Sequence, residues 1–209
     1  MRLDHVSYVA SHDQISDVVN RIGSQIGTAF VDGGIHPKFG TRNFTAPLLN
    51  GQYIEIVCPL DHPATDATPF GQAVKKKADA GGGWMAWILA SDNIEVLENN
   101  LIKTAVEGLR KKPNGQILKW KQIGVTDMLK DSRKPFYVEW LSDEHPSTDG
   151  FPLSKLVEIV INGERSDEIN NILDDISIDV NVKFISLPDL EIGIKEVIFK
   201  LNDKLISVN

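Results

Sequence analysis

The spacing of apolar residues changes twice near the start of the chain, from alternation to a helical period and back. Residues 3–9 are rich in β-branched and aromatic side chains, which is typical of a strand. The next apolar residues recur three and four positions apart, as on the buried face of a helix: Ile15, Val18, Val19, Ile22 and Ile26. The Gly33-Gly34 pair breaks this period. Three more strands are predicted, at residues 30–32, 41–48 and 53–58, with an Asn50-Gly51 hairpin turn before the last. The predicted order is β-α-β-β-β.

The same order returns after the glycine run at residues 81–83. Residues 84–90 are predicted to form a strand, followed by a helix whose apolar face is Leu97, Leu101, Ala105 and Leu109. Strands at residues 117–123 and 136–141 close this second unit. The basic run at residues 110–112 is interpreted as a solvated helix end, as is the run at residues 75–77. The chain therefore contains two copies of one supersecondary unit.

The ends of the two units also align in detail. With a gap of one residue, Glu55 matches Glu139 and His62 matches His145, and each histidine precedes a proline. The shared order of elements favours duplication over chance similarity. His62 and His145 are interpreted as repeats of one turn-forming feature.

A weaker third copy is predicted in the C-terminal part of the chain. Its elements are a strand at residues 156–161, a short helix capped by Ser166, a strand at residues 180–185 and a hairpin at residues 192–208. Overlaying this copy on the first places Glu158 at the position of His5. The expected fold is α+β: βαβββ modules at residues 1–60, 82–150 and 154–209 form a curved, cupped mixed sheet with helices outside, in one compact domain.

Composition limits the function classes. The net charge of −7 argues against a nucleic-acid partner, because nucleic-acid-binding proteins normally present a basic surface. No stretch of sequence approaches the about 18 apolar residues of a membrane span, and no apolar leader is recognised, so a cytoplasmic location is expected. The single cysteine, Cys58, excludes an intrachain disulfide. A small-molecule ligand is the expected partner.

Several segments together resemble a known family. They are residues 3–6 (Leu-Asp-His-Val), 33–37 (Gly-Gly-Ile-His-Pro), 40–43 (Gly-Thr-Arg-Asn), 53–57 (Tyr-Ile-Glu-Ile-Val), and 136–140 with the following His145-Pro146. The chain resembles the glyoxalase-like domain family of the vicinal-oxygen-chelate superfamily, well over residues 1–150 and loosely beyond. The resemblance implies paired βαβββ modules around a cup, in which a divalent metal holds two neighbouring oxygens of the substrate.

The resemblance also implies a set of metal ligands. His5 and Glu55 occupy the two ligand positions of a first module, and Glu139 is the expected third ligand for Mn, Fe, Zn, Ni or Mg. The second module departs from the family pattern, because Trp84 or Met85 stands where a fourth ligand is expected. Glu158 supplies the missing group if the third copy pairs with the first, and the sequence leaves both pairings open.

A second candidate group surrounds the Gly-Gly-Ile-His-Pro turn. Arg42 suits a bidentate clamp on a carboxylate or phosphate, and His36 suits a general acid or base. The catalytic candidates are Glu55, His36 and Arg42, and the substrate-binding candidates are Arg42, Asn43 and Trp84. The alternative is a structural loop, in which Pro37 and Gly40 make the turn and Asn43 bonds to the backbone.

Two functions remain open from the sequence. The first is a glyoxalase-like enzyme of the lyase, isomerase or dioxygenase type, acting on a substrate with vicinal oxygens. The second is a metal-free protein that binds or sequesters a small molecule in the same cup, which the tryptophan or methionine at the ligand position favours. Pairing of identical subunits into a homodimer is expected from the fold.

Overall fold

A computed structural model describes residues 1–176 and 180–209, and within them the chain forms twelve strands and six α-helices. The first module comprises β1 (Arg2–Val9), α1 (Ile15–Ile26), β2 (Val31–His36), β3 (Thr41–Pro47) and β4 (Tyr53–Pro59). Two helices follow, α2 (Pro63–Ala67) and α3 (Pro69–Asp79). The second module comprises β5 (Gly83–Ala90), α4 (Ile94–Leu101), β6 (Val106–Lys111), β7 (Ile117–Ile123), α5 (Val125–Lys130) and β8 (Phe136–Trp140). The order β-α-β-β-β therefore occurs twice, with α5 inserted before the last strand of the second module.

The C-terminal segment contributes β9 (Ser154–Asn162), α6 (Asp167–Asp174), β10 (Asn181–Ile185), β11 (Gly193–Leu201) and β12 (Lys204–Val208). The helices of residues 1–176 and 180–209 are all too short or too polar to cross a bilayer.

The strands of the two modules form one curved sheet that closes into a barrel, in the order β1-β4-β3-β2-β6-β7-β8-β5. Within each module the first and last strands are parallel neighbours, β1 with β4 and β5 with β8. Antiparallel pairing of β1 with β5 joins the modules on one side. On the other side β2 meets β6 only through the pair Ile35 and Lys111. The expected fold class, paired βαβββ modules in a cupped mixed sheet, is confirmed.

The predicted helix of the second module is too long. Helix α4 ends at Leu101, and Ile102 adopts a left-handed conformation with φ of 52°. Residues Val106–Lys111 form β6 instead of a last helical turn. The alternation of this strand is hidden in the sequence, because its two buried positions are Gly108 and Arg110 rather than apolar residues.

Both faces of the barrel strands are buried. The outward residues pack with α1 and the C-terminal segment in one apolar cluster, which includes Val6, Ile54 and Trp84. The inward residues form a second cluster, in which Val9 and Val57 pack with Phe70 and other residues of α3. Burial on both faces explains why β5 is apolar throughout its length, without alternation.

The C-terminal segment has the order β-α-β-β-β for a third time, but not the strand pairing of the two modules. Its strands form a separate sheet in the order β10-β9-β11-β12, in which the first strand, β9, is parallel to the second, β10, and not to the last, β12. The sheet packs on the outside of the barrel, where Trp84 Nε1 donates a hydrogen bond of 2.8 Å to the carbonyl of Val208. Glu158 accepts a hydrogen bond from Asn181 within this sheet. Glu158 therefore lies away from the barrel interior.

Candidate active site

A cavity lies inside the barrel, between the two modules. Its polar lining consists of His5, His36, Asn43, Glu55, Arg110 and Gln122. Its apolar and aromatic lining consists of Tyr53, Phe70, Trp120, Phe136, Val138 and Trp140. A concave pocket with convergent polar groups on mostly aromatic walls is the usual form of a small-molecule site.

Glu55 is the central carboxylate of this cavity. It is buried, and its two carboxylate oxygens accept hydrogen bonds from Ser7 Oγ at 2.5 Å and Asn43 Nδ2 at 2.7 Å. Burial by itself would raise the pKa of Glu55, but the nearby His5 and His36 and these two hydrogen bonds lower it below its usual value. Glu55 is therefore an ionised carboxylate at neutral pH.

His5 lies next to Glu55 and is oriented by a buried carboxylate. Strand β1 runs parallel to β4 with His5 opposite Tyr53, and the imidazole stacks on the Tyr53 ring at 4.2 Å. The Nδ1 atom of His5 is 2.9 Å from Asp4 Oδ2. Burial would raise the pKa of Asp4, but hydrogen bonds from His145 and His5 hold it well below its usual value. An ionised Asp4 can only accept, so Nδ1 of His5 carries a proton and donates it to Asp4 in this hydrogen bond.

Asp4 also connects His5 to the segment after β8. Its Oδ1 atom is 3.1 Å from His145 Nε2, and its Oδ2 atom accepts a 3.1 Å hydrogen bond from Trp140 Nε1. His145 Nδ1 accepts a hydrogen bond from the backbone N–H of Ser147, so the ring proton of His145 lies on Nε2, the atom that faces Asp4. The predicted turn-forming role of His145 is therefore combined with a contact to the site.

His36 is a neutral imidazole in the cavity wall. Its Nδ1 atom is 2.9 Å from Thr41 Oγ1, and its ring meets the Trp120 ring edge to face. Burial lowers the pKa of His36 to about 4, and the positive charge of Arg110 adds to this effect while Glu55 opposes it. At pH 7 the imidazole of His36 is therefore neutral, with one ring nitrogen that can donate a proton and one that can accept a proton.

Arg110 is the residue that the sequence did not identify. The side chain is 2% exposed, and its Nε and Nη2 atoms have no hydrogen-bond partner among the described residues. The nearest carboxylate oxygen, Asp149 Oδ2, lies 3.6 Å from Nη2, and Asp149 also pairs with Lys112 at 2.6 Å. Leaving charged donors unpaired in a buried place is costly. Arg110 is thus a buried cation in the cavity wall, and Asp149, which it shares with Lys112, is its nearest counter-charge.

Gly33 makes room for this arrangement. A Cβ atom at Gly33 would lie 2.2 Å from Asn43 Oδ1 and 2.9 Å from Arg110 Nη1. These distances are too short for any other residue, so the backbone of β2 can approach both side chains only at a glycine. Gly33 therefore shapes the cavity, and the run predicted as a turn is strand β2 as far as His36, with the turn itself at residues 37–40.

Two predicted site residues lie outside the cavity. Arg42 points to the outer side of β3, where it forms an ion pair with Asp32, while its neighbours Thr41 and Asn43 are buried. Trp84 lies on the outer face of β5, edge to face with Tyr8. Alternation along a strand places neighbouring residues on opposite faces, and both residues occupy the outward set.

The predicted metal ligands do not meet. Glu139 pairs with Lys121 between β8 and β7, one residue away from the inward-facing Val138 and Trp140, so its side chain lies on the outer face. His5 and Glu55 remain as the two candidate ligands, and both Glu55 oxygens already accept hydrogen bonds. Within residues 1–176 and 180–209 no three His, Cys, Asp or Glu side chains are grouped to hold a metal ion. The residues present do not fit the chelate that the resemblance implies.

Comparison with known proteins gives a family match over most of the chain. The sequence model described as "Glyoxalase-like domain" matches residues 3–176. No curated protein is similar enough to count as a match. Among solved structures, a hypothetical protein from Staphylococcus aureus is 18% identical, with a TM-score of 0.60, over 99% of this chain and 84% of that one. The methylmalonyl-CoA epimerase of Mycobacterium tuberculosis is 12% identical, with a TM-score of 0.43, over 66% of this chain and 85% of that one. At 18% identity the likeness to the Staphylococcus aureus protein concerns the fold alone.

Proposed function

This chain belongs to the glyoxalase-like domain family, and on that premise we propose that it is an enzyme of the isomerase or lyase type. Its substrate is a small carbonyl compound with two neighbouring oxygens, bound inside the barrel. The observation that carries the proposal is the Asp4–His5 pair, whose imidazole lines one cavity with an ionised Glu55 and the buried guanidinium of Arg110. Base, carboxylate and cationic donor in one buried cavity are the groups that proton abstraction next to a carbonyl requires.

His5 is the proposed general base. Its Nε2 lone pair takes a proton from the carbon next to the carbonyl, and the electrons of the broken C–H bond move onto the carbonyl oxygen. Asp4 stabilises the imidazolium that forms, because its carboxylate already accepts from Nδ1. Return of the proton to the neighbouring carbon of the enolate system, or to the opposite face of the same carbon, completes an isomerisation, whereas departure of a neighbouring group completes a lyase reaction.

Arg110 is the proposed anchor for the two substrate oxygens. Its guanidinium lines the cavity, and guanidinium donors can hold two neighbouring oxygens as a bidentate fork. The positive charge stabilises the oxyanion as it forms. In this proposal an arginine holds the oxygens that other members of the superfamily bind through a metal, and no step uses a metal ion.

A second candidate function is a small-molecule binding protein that keeps the cavity without catalysis. Two positions of the second module favour it: Ile88, opposite His5 in the ladder, and Val138, which faces the cavity on β8. Both are apolar, so only the first module supplies groups for acid–base chemistry from these strands.

Hydrogen exchange separates the two candidates without knowledge of the product. We expect the protein to exchange the C3 protons of 2-oxobutanoate for deuterium in D2O, followed by proton NMR. His5→Gln should slow this exchange at least about 100-fold, the usual size of general base catalysis. Asp4→Asn should slow it about tenfold, since Asp4 positions the base. His62→Gln, at the start of α2 and outside the cavity, is the control with the wild-type rate.

Calorimetry of the same acid completes the test. Binding without exchange supports the binding protein and excludes the enzyme for this substrate class. Exchange that persists in His5→Gln overturns the assigned base. The pH profile distinguishes Asp4→Asn from mere structural damage, because loss of Asp4 should shift the apparent pKa of the exchange reaction downwards as the imidazolium loses its partner.

A further inference from the structure

A second cavity adjoins the first inside the same module interface. It lies between β6, β7 and the N-terminal end of α3. Its walls are mostly apolar and include Phe39, Pro69, Val106, Ile123 and Val125. Phe70 and Gln122 line both cavities, so these two side chains form the partition between them.

The partition consists of side chains. The Phe70 ring meets Phe39 on the side of the second cavity, at 5.5 Å, and Phe136 on the side of the first, at 6.3 Å. Gln122 Oε1 accepts a 2.9 Å hydrogen bond from Trp120 Nε1. A passage for a ligand longer than the first cavity therefore requires rotation of these two side chains and no change in the strands.

The charged groups around the second cavity are already paired. Lys38 Nζ donates to the carbonyl of Glu107 at 2.9 Å, and Lys103 forms an ion pair with Asp127. The apolar walls of the second cavity therefore suit an uncharged part of a ligand, while Arg110 and His5 in the first cavity suit its polar part. Together the two cavities suit a ligand that has an oxygen-bearing end and a hydrocarbon end.

We infer that the substrate is a 2-oxo acid with an unbranched hydrocarbon tail, whose oxygens lie at Arg110 and whose tail passes Phe70 into the second cavity. This inference rests on the proposed function and specifies its substrate class. Each methylene of the tail that leaves water contributes a similar increment of affinity. Affinity should therefore rise with chain length, by up to about fourfold per methylene.

The test is calorimetric titration of linear 2-oxo acids of increasing length, beginning with pyruvate. Val106→Trp places an indole in the second cavity, at a strand position that is 42% exposed and does not line the first cavity. This variant should lose the gain in affinity with chain length. Ile117→Trp is the matched control, because it lies on the neighbouring β7, is 50% exposed and lines neither cavity. Circular dichroism verifies that both variants fold.

The outcomes separate the two proposals. Affinity that rises with length in the wild type and Ile117→Trp, and stays flat in Val106→Trp, supports the tail site. Short acids that bind and exchange deuterium, without any gain from added methylenes, overturn the tail site and leave the proposed function intact. Failure of every acid to bind overturns both. A rise with length that survives in Val106→Trp overturns the placement of the tail in the second cavity.

Discussion

The neutral state of His36 has a measurable consequence for stability. Unfolding returns the imidazole to water, where its pKa is near 6.5, whereas in the folded protein burial lowers the pKa to about 4. Between these values the unfolded chain binds a proton that the folded chain does not. The free energy of unfolding therefore falls as the pH falls from 6.5 towards 4, and this loss is specific to His36.

The size of the effect follows from the two pKa values. A difference between 6.5 and about 4 corresponds to about 3 kcal/mol, at about 1.4 kcal/mol for each pH unit. About 2 kcal/mol of this is lost between pH 6.5 and pH 4.5. Glu55, whose pKa is also lowered, contributes in the same direction only as the pH falls below 4.5. The interval from pH 6.5 to 4.5 therefore isolates the histidine.

The perturbation is His36→Asn, in which the amide can keep the hydrogen bond to Thr41. In urea unfolding at half-unit pH steps from pH 6.5 to pH 4.5, the variant should lose about 2 kcal/mol less of its free energy of unfolding than the wild type loses. His12→Asn, at an exposed position, should keep the wild-type dependence. Parallel curves for wild type and His36→Asn, within about 0.5 kcal/mol, would show that His36 is not held neutral by the cavity.

Two further predictions concern the anion edge of the cavity. Arg110→Met should reduce affinity for 2-oxobutanoate at least about tenfold in calorimetry, yet change the free energy of unfolding by less than about 2 kcal/mol, because Asp149 lies 3.6 Å from Nη2 and keeps Lys112 as its closer partner. A loss of more than about 2 kcal/mol in urea unfolding would instead mean that Arg110 is held by its neighbours. Gly33→Ala should lower the free energy of unfolding by about 1–3 kcal/mol and weaken acid binding, because the added methyl displaces Asn43. Gly51→Ala is the control: at φ of 69° and with open space around it, the added methyl should lower the free energy of unfolding through backbone strain but leave acid binding unchanged. Equal loss of acid binding in both variants would refute the steric argument.

Part of the site was predictable from local sequence. Alternation around Tyr53 places Glu55 on one face of its strand, and the motif at residues 40–43 leads to Asn43. The structure brings these residues together with His5 and His36 in one cavity. Parallel pairing of the first and last strands of a module is what aligns His5 with the segment that contains Glu55.

The position of Arg110 inside the barrel could not be predicted from the sequence. A buried strand position is recognised by apolar residues at every second place, and the buried places of β6 hold a glycine and an arginine. The run at residues 110–112 therefore looked like a solvated helix end, although Arg110 is 2% exposed. Only closure of the barrel, which brings β6 next to β2, creates the interior that Arg110 enters.

The amino-acid sequence by itself determined the repeated β-α-β-β-β order and the two faces of each strand, because both depend on local periodicity. The tertiary structure decided which face is the interior. Outward residues such as Trp84 are as buried as inward ones, since α1 and the C-terminal sheet cover the barrel. Because apolar residues occupy both faces of a strand, alternation does not show which face is turned to the barrel interior. The sequence therefore places Glu139 and Arg42 in the cavity, whereas in the structure both side chains lie on the outer face of their strands.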